Sequence, residues 1–319
     1  MTHIRLPYWP LLFLALVGCR KDVEVFSPYA PSAQEIGSLL VQQIPAPNSH
    51  TSFTLSNLAN DIVLETPNGV RVSLVDTDHL FVHAGTGETV LCSTCPNLKV
   101  EVTEVSDNSD IVARGLNTVT TEGTLFESGG MVLVSVTCNG QTLALLPGRN
   151  VKIQIPENNP QDGFSVLSQT APATSEGRWE IGSQVVFKAE WPANNGNTRQ
   201  GYELLMTQLG WAASGRVITE PSSRFCVELP TGFGGQNTLS YLVFKNQQVV
   251  APLEFDLGQN KFCFLNVPTG FQVQLVSISK LGERFWLGKA ETETGTNVTY
   301  PMNTQETTEE AIFDFLKSL

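Results

Sequence analysis

The chain has 319 residues, of which 41% are hydrophobic and 16% are charged. This composition argues against wholesale disorder, and the length accommodates two ordinary domains with cores of their own. The net charge of -12 repels the phosphates of DNA, RNA and anionic lipids, so a nucleic-acid partner is not expected.

Residues 1–18 have the layout of a signal peptide. Arg5 gives a positive start, a short apolar run covers 10–17, and the small residue Gly18 precedes Cys19. The letters LVGC that end at Cys19 resemble a bacterial lipobox. That resemblance implies cleavage after Gly18, acylation of Cys19 and attachment to a membrane through the lipid. An ordinary signal peptide with a chance cysteine, or a start that is not exported, is the alternative.

Residues 19–50 are predicted to form a tether. The letters RKDVE at 20–24 resemble the charged tag of surface-exported Bacteroidetes lipoproteins, and a solvated linker is the alternative. Prolines at 28, 31, 45 and 47 favour extended backbone, with a short helical turn around 34–42. The expected location is the outer membrane, on the cell surface or on the periplasmic face.

From residue 51 the pattern changes to short strands that alternate apolar and polar residues. Such runs occupy 70–75, 99–105, 131–137 and 151–155. Asn139-Gly140 lies between two alternating runs and predicts a hairpin turn. Short strands at this spacing, without helices between them, indicate a β-sandwich domain over 51–160.

A second block of strands follows, and we predict a second β-sandwich domain over 161–300. Its alternating runs occupy 183–191, 237–244 and 271–279. The boundary between the two domains is expected in the polar stretch 157–177, which contains two prolines.

The second block contains an internal echo. The letters FCVELPTGF at 225–233 recur loosely over 262–271, which indicates a repeated strand-turn-strand unit in one sheet. Cys226 and Cys263 occupy matching places in the two copies and form the candidate disulfide.

Five cysteines remain once Cys19 is acylated, so one is left over unless it pairs between chains. For the others, either a Cys92–Cys95 loop disulfide or a bond from one of these two to Cys138 is expected.

A short C-terminal α-helix is predicted within 301–319. Thr307 and Glu310 fit a capping box, and apolar residues from Ile312 to Leu319 recur at helical spacing. We expect this helix to pack on the second block, and a partner-binding helix is the alternative. The fold class is therefore all-β, with two β-sandwich-like domains and this helix.

Two segments resemble a known kind of protein. The letters LFESGGMVLVSVTCNGQ and KIQIP within 121–156 are similar to a β-sandwich module of uncharacterised Bacteroidetes envelope lipoproteins, which is distantly like the ZU5 domain of ankyrins and netrin receptors. LGWAASGR and VELPTGFGGQNTLSYLVFKN resemble the downstream half of those lipoproteins. There a polar run follows Leu-Gly-Trp, whereas this chain has Ala212-Ala213-Ser214-Gly215. The resemblance covers roughly residues 60–300, implies the fold, and transfers no catalytic residue.

One set of side chains has the types that bind zinc. His79 and His83 precede Cys92 and Cys95, and two imidazoles with two thiolates make a tetrahedral site. The spacing matches no standard zinc module, and free thiolates are not expected outside the cytoplasm. The aspartates of 107–110 are interpreted as a solvated turn, because EF-hand spacing is missing. We predict no metal and no cofactor.

The sequence assigns no catalytic residue. The Gly-x-Ser-x-Gly and His-Glu-x-x-His patterns are missing, and every histidine precedes residue 84. The function expected is a non-enzymatic binding or structural module of the cell envelope, with an unidentified protein or glycan ligand. The alternative is a carbohydrate-binding or carbohydrate-processing surface lipoprotein, with Trp191, Trp211 and Trp286 as a stacking platform; exposed indoles clustered on one face favour it and buried indoles count against it.

Overall fold

A computed structural model describes residues 32–43, 49–56, 60–169, 177–193 and 196–319. The signal peptide predicted over 1–18, the acylation site Cys19 and the charged tag at 20–24 lie outside these residues.

The described residues form 23 strands and three α-helices. The helices are α1 (Ser32–Gln43), α2 (Asn108–Ala113) and α3 (Glu309–Leu316). The first fourteen strands are β1 (His50–Leu55), β2 (Asp61–Glu65), β3 (Arg71–Val75), β4 (Phe81–His83), β5 (Thr89–Val90), β6 (Leu98–Val105), β7 (Phe126–Cys138), β8 (Gln141–Leu145), β9 (Val151–Pro156), β10 (Ser165–Gln169), β11 (Glu180–Val185), β12 (Phe187–Pro192), β13 (Thr198–Met206) and β14 (Gly210–Val217). The remaining nine are β15 (Ser222–Glu228), β16 (Thr238–Phe244), β17 (Val250–Pro252), β18 (Glu254–Asp256), β19 (Lys261–Pro268), β20 (Gln272–Leu281), β21 (Arg284–Glu293), β22 (Val298–Pro301) and β23 (Thr304–Thr307).

These strands make four sheets. Sheet I has the order β12-β13-β9-β3-β2, and sheet II has the order β11-β10-β14-β7-β8-β4-β5, in which β6 also pairs with β7 and β1 pairs with β6. Sheet III has the order β17-β16-β20-β21-β23, and sheet IV has the order β18-β19-β15-β22. All pairs are antiparallel except β15 with β22. Asn139 and Gly140, both at positive φ, make the tight turn from β7 to β8, as the sequence predicts.

Three apolar cores separate the four sheets. The first core lies between sheets I and II and includes Ile153 and Val134, and the outer core lies between sheets III and IV and includes Leu242 and Phe264. A middle core joins sheet II to sheet III. Alternation along single strands produces this arrangement, because Val132 of β7 faces the first core while its neighbour Met131 faces the middle core. Sheets II and III are thus covered on both faces, and the predicted pair of β-sandwiches is confirmed.

The two sandwiches divide later in the chain than the predicted boundary at 160/161. β13 pairs with β9 and β14 pairs with β7, so the first sandwich continues to Val217. The polar stretch at 157–164 is the β9–β10 loop of that sandwich, and a polar, proline-containing loop has the same composition as a linker. Pro31–Leu319 form one compact unit.

Part of the predicted tether is helix instead. α1 covers the expected turn at 34–42 and buries Ile36 and Leu40 in the middle core. Glu35 accepts from the ammonium of Lys280 on β20 at 2.7 Å. An apolar pair four residues apart places both side chains on one helix face, which is why this short segment docks.

The C-terminal helix begins later than its capping prediction. The hydroxyl of Thr308, not Thr307, accepts from the backbone N–H of Ala311 at 3.3 Å. Thr307 is unavailable because it pairs with Phe285 as the last residue of β23. The helix is α3, while the first half of 301–319 contains the end of β22 and all of β23. Ile312 and Leu316 are buried in the middle core.

Two disulfides lie within single sandwiches. Cys226 on β15 is bonded to Cys263, its register partner on β19. Cys95 is bonded to Cys138 at the end of β7, the second of the two pairings considered from sequence. Cys92 is a buried thiol with no disulfide partner among the described residues.

None of the described helices combines the length and the apolar character needed to span a bilayer.

Candidate binding crevice

The structure does not bring the zinc-type residues together. His79 is exposed, and its Nδ1 lies 2.8 Å from Asp76 Oδ1, while Cys95 is consumed by a disulfide. Cys92 is fully buried, and burial together with the charge of Asp78 raises its pKa to about 11. Over the described ranges, no group of three or more histidine, cysteine, aspartate or glutamate side chains is arranged to hold a metal ion.

The acidic turn at 107–110 has a local structural role. The carboxylate of Asp107 accepts from the backbone N–H of Asp110 at 2.8 Å and so caps the start of α2. The side chain of Asn108 reaches away from the helix and donates to two carbonyls of the second sandwich, those of Phe244 and Gln247, each at 3.1 Å. This segment therefore links the two sandwiches.

The three tryptophans of the predicted platform lie on three different sheets. Trp191 of sheet I is 2% exposed and Trp211 of sheet II is 5% exposed. Trp286 of sheet III is half-buried and packs edge-on against Phe233, with 5.7 Å between ring centroids. No common face presents their rings for sugar stacking, which counts against a tryptophan-based site.

A crevice of about 710 Å³ lies where the two sandwiches meet. One wall is the β9–β10 loop of the first sandwich, the other is the β16–β17 turn at 245–248, and the floor is 127–129 of β7. The backbone N–H of Ser128 donates to the carbonyl of Gln248 at 3.0 Å. This bond and those of Asn108 hold the walls in one relative position.

A stack of three side chains forms the back of the crevice. The guanidinium carbon of Arg216 lies 5.2 Å from the ring centroid of Phe164, which in turn stacks on Tyr202 at 4.7 Å. Arg216 also pairs with Glu127, its register partner on β7. The backbone N–H of Gln161 donates to the Tyr202 hydroxyl at 2.8 Å. Burial raises the pKa of Tyr202 above the usual value of a phenol.

The lining is rich in carboxamides and nearly balanced in charge. Three carboxylates (Asp107, Glu127 and Glu157) face two cations (Arg216 and Lys245). The carboxamides are Asn108, Asn159, Gln161, Asn246, Gln247 and Gln248. Three of their oxygens are buried and find no hydrogen-bond partner in the described part of the chain: Asn108 Oδ1, Gln247 Oε1 and Gln248 Oε1. Buried acceptors normally have a partner, so these oxygens need a donor from water or from a ligand.

Sequence reasoning missed this site. Glu127 lies in the quoted ESGG motif, but its partner Arg216 is 89 residues away and meets it only through strand register. The one local signal is the polar run KNQQ at 245–248 between two apolar strands, which is typical of any exposed turn.

Comparisons with protein-family models, with curated proteins and with solved structures gave no significant match to this chain. The crevice is therefore interpreted from its own chemistry.

Proposed function

We propose that this chain is a membrane-anchored envelope lipoprotein that acts as a non-enzymatic binding module, with its ligand site in the crevice between the two sandwiches. The observation that carries the proposal is the crevice itself, whose polar walls are fixed by hydrogen bonds from Ser128 and Asn108 across the junction. Clefts at the interface of two domains are a usual place for a ligand.

Three features support export and anchoring. The letters LVGC end at Cys19 in the layout of a lipobox, and they follow a short apolar run. Two disulfides, Cys95–Cys138 and Cys226–Cys263, are typical of an oxidising compartment. The resemblance of 121–156 to Bacteroidetes envelope lipoproteins with a ZU5-like module points to the same location.

Anchoring is tested by metabolic labelling of the full chain with an alkyne fatty acid. We expect label on the wild-type chain and its recovery with outer membranes, whereas Cys19→Ser carries no label and leaves the membrane fraction. Label that persists in Cys19→Ser, or wild type without label, contradicts the proposal. Protease accessibility in whole cells then separates the cell surface from the periplasmic face.

Binding is tested by capture of envelope components on the full chain in detergent. Asn159→Trp places a large ring in the crevice wall, and Asn60→Trp is the matched control at an exposed position outside it. We expect a component that wild type and Asn60→Trp retain, that Asn159→Trp loses, and that elutes with unchanged mass. Equal capture by all three chains contradicts a crevice site, and conversion of the component contradicts a non-enzymatic role.

A further inference from the structure

We propose that the crevice binds a neutral, hydroxyl-rich ligand of the saccharide class through side-chain hydrogen bonds, without ring stacking. This inference rests on the proposed binding function and specifies its ligand. It differs from a tryptophan platform in both place and chemistry.

The first argument is the hydrogen-bonding character of the lining. A carboxamide donates through its nitrogen and accepts through its oxygen, and a hydroxyl group likewise does both. Six carboxamides in one crevice thus match a ligand with many hydroxyl groups. The oxygens of Gln247 and Gln248 have no donor among the described residues, and both side chains are only half-buried at the crevice wall.

The second argument is charge. Arg216 is paired with Glu127, and the ammonium of Lys245 lies 2.7 Å from the carboxylate of Glu291, so both cations of the lining are already neutralised. A phosphorylated or strongly acidic ligand therefore meets no excess positive charge. The Arg216–Glu127 pair still offers N–H donors beside a carboxylate acceptor, which suits two neighbouring hydroxyl groups.

The third argument excludes a peptide strand. The backbone N–H groups of Phe126 and Ser128 in the floor strand are bonded to the carbonyls of Thr118 and Gln248, so no open edge is left there for strand addition. Phe164 and Tyr202 are 4% and 2% exposed and pack on each other, which leaves no open aromatic pocket for an apolar anchor.

The expected affinity is weak. Each neutral hydrogen bond replaces one to water, and stacking contributes nothing here, so dissociation constants on the order of 0.1 to 1 mM are expected. Binding at this strength is measured by saturation-transfer NMR and by titration.

The experiment uses the full acylated chain in detergent micelles against neutral oligosaccharides, acidic oligosaccharides and short neutral peptides. Gln161→Ala removes an exposed carboxamide of the wall. Arg216→Lys keeps the positive charge but replaces the planar guanidinium, with its several N–H donors, by an ammonium. The matched controls are Gln259→Ala and Arg284→Lys, both at exposed positions outside the crevice. Thermal midpoints identify any variant that fails to fold, and Gln161, with its exposed side chain, keeps the test usable if Arg216→Lys unfolds.

We expect a neutral oligosaccharide to bind, with affinity about three- to tenfold weaker in Gln161→Ala and about tenfold weaker in Arg216→Lys, and unchanged in both controls. Preference for acidic oligosaccharides or peptides, binding of no saccharide, or saccharide binding that neither crevice variant alters overturns this inference. If no saccharide binds while Asn159→Trp still abolishes capture of an envelope component, the ligand class is wrong and the proposed function stands. If no saccharide binds and Asn159→Trp does not alter the capture of any envelope component, both the ligand class and the crevice site are wrong.

Discussion

The ring of Tyr202 fills the space that a side chain on Gly129 needs. A Cβ atom on Gly129 would lie 2.4 Å from Tyr202 Cε2 and 3.1 Å from Phe164 Cε1. Because Gly129, the first glycine of the ESGG motif, has no side chain, the aromatic pair behind the crevice can pack directly against β7. This close approach accounts for a small residue in the middle of a buried strand.

Gly129→Ala should therefore destabilise the protein by overpacking, by about 1 to 3 kcal/mol in the free energy of unfolding. Gly85→Ala is the control, because nothing lies within 4 Å of the Cβ position there. Urea denaturation compares the two. Equal stability of both variants would show that Tyr202 moves aside at no cost.

Helix α1 supplies a second test, because it occupies a segment that sequence composition assigns to a tether. Ile36 is 1% exposed, so Ile36→Ala should lower the free energy of unfolding by about 2 to 4 kcal/mol. Val41 on the same helix is 46% exposed, and Val41→Ala should change little. Gly37→Ala, with open space at its Cβ position, should raise stability by up to about 1 kcal/mol. An unchanged free energy of unfolding in Ile36→Ala would contradict the packing of α1 on the middle core.

The sequence predicts the strands well because alternation is a local signal. The run at 131–137 lies within β7, and Asn139-Gly140 makes the expected turn. The domain boundary is predicted wrongly, because 157–164 has the composition of a linker whether it joins two strands or two domains. The short strands β22 and β23 escape prediction since each has only four residues.

The crevice escapes prediction for a different reason. Its central pair, Glu127 and Arg216, is created by the register of β7 against β14, and no local pattern specifies that register. The identity of the unpaired cysteine, Cys92, is also not specified by any local pattern. An odd number of thiols predicts one unpaired cysteine, but only the packing around Cys92 and the bond from Cys95 to Cys138 identify it.

Glu104 should produce a pH-dependent difference in stability. This glutamate is 6% exposed, and burial raises its pKa above 4.5 even though Thr66 and Asn68 donate to it and Arg199 attracts its charge. The folded state therefore holds a proton that the unfolded chain releases, so stability falls as pH rises from 4.5 through the folded pKa. Glu104→Gln should match wild type below that window and gain relative stability above it.

Glu101→Gln is the control of opposite sign. A hydrogen bond from Lys99 lowers the pKa of Glu101 below 4.5, so wild type holds an advantage above that pH and loses it as pH falls through the folded pKa. Thermal midpoints between pH 3 and pH 8 measure both differences. Parallel curves for the two variants would contradict the assigned directions.

The thiol of Cys92 should resist alkylation until the protein unfolds. It is fully buried with a pKa of about 11, so at pH 8 little thiolate exists and none is accessible. Peptide mapping after iodoacetamide treatment should find Cys92 labelled only in denaturant. Labelling of Cys95 or Cys138 before reduction would contradict the disulfide between them.

The start of α3 is tested by two neighbouring threonines. Thr308→Ala removes the cap on Ala311 and should cost about 1 kcal/mol, while Thr308→Ser retains it. Thr307→Ala, at the position that the sequence pattern favours, should cost less because Thr307 caps nothing. If chemical denaturation shows a larger loss of stability for Thr307→Ala than for Thr308→Ala, Thr307 is the capping residue and this assignment is wrong.

The docking of α1 also determines how the proposed lipoprotein carries load. Tension on a lipid-anchored chain arrives from the N-terminal side of residue 32, and α1 is the first described element it meets. That helix packs on β16 and β20, which are inner strands of sheet III, rather than on an edge strand. A pull from the membrane therefore enters at the centre of the stack. In a chain anchored in that way, α1, with its Glu35–Lys280 ion pair, would be the first described element to bear the tension.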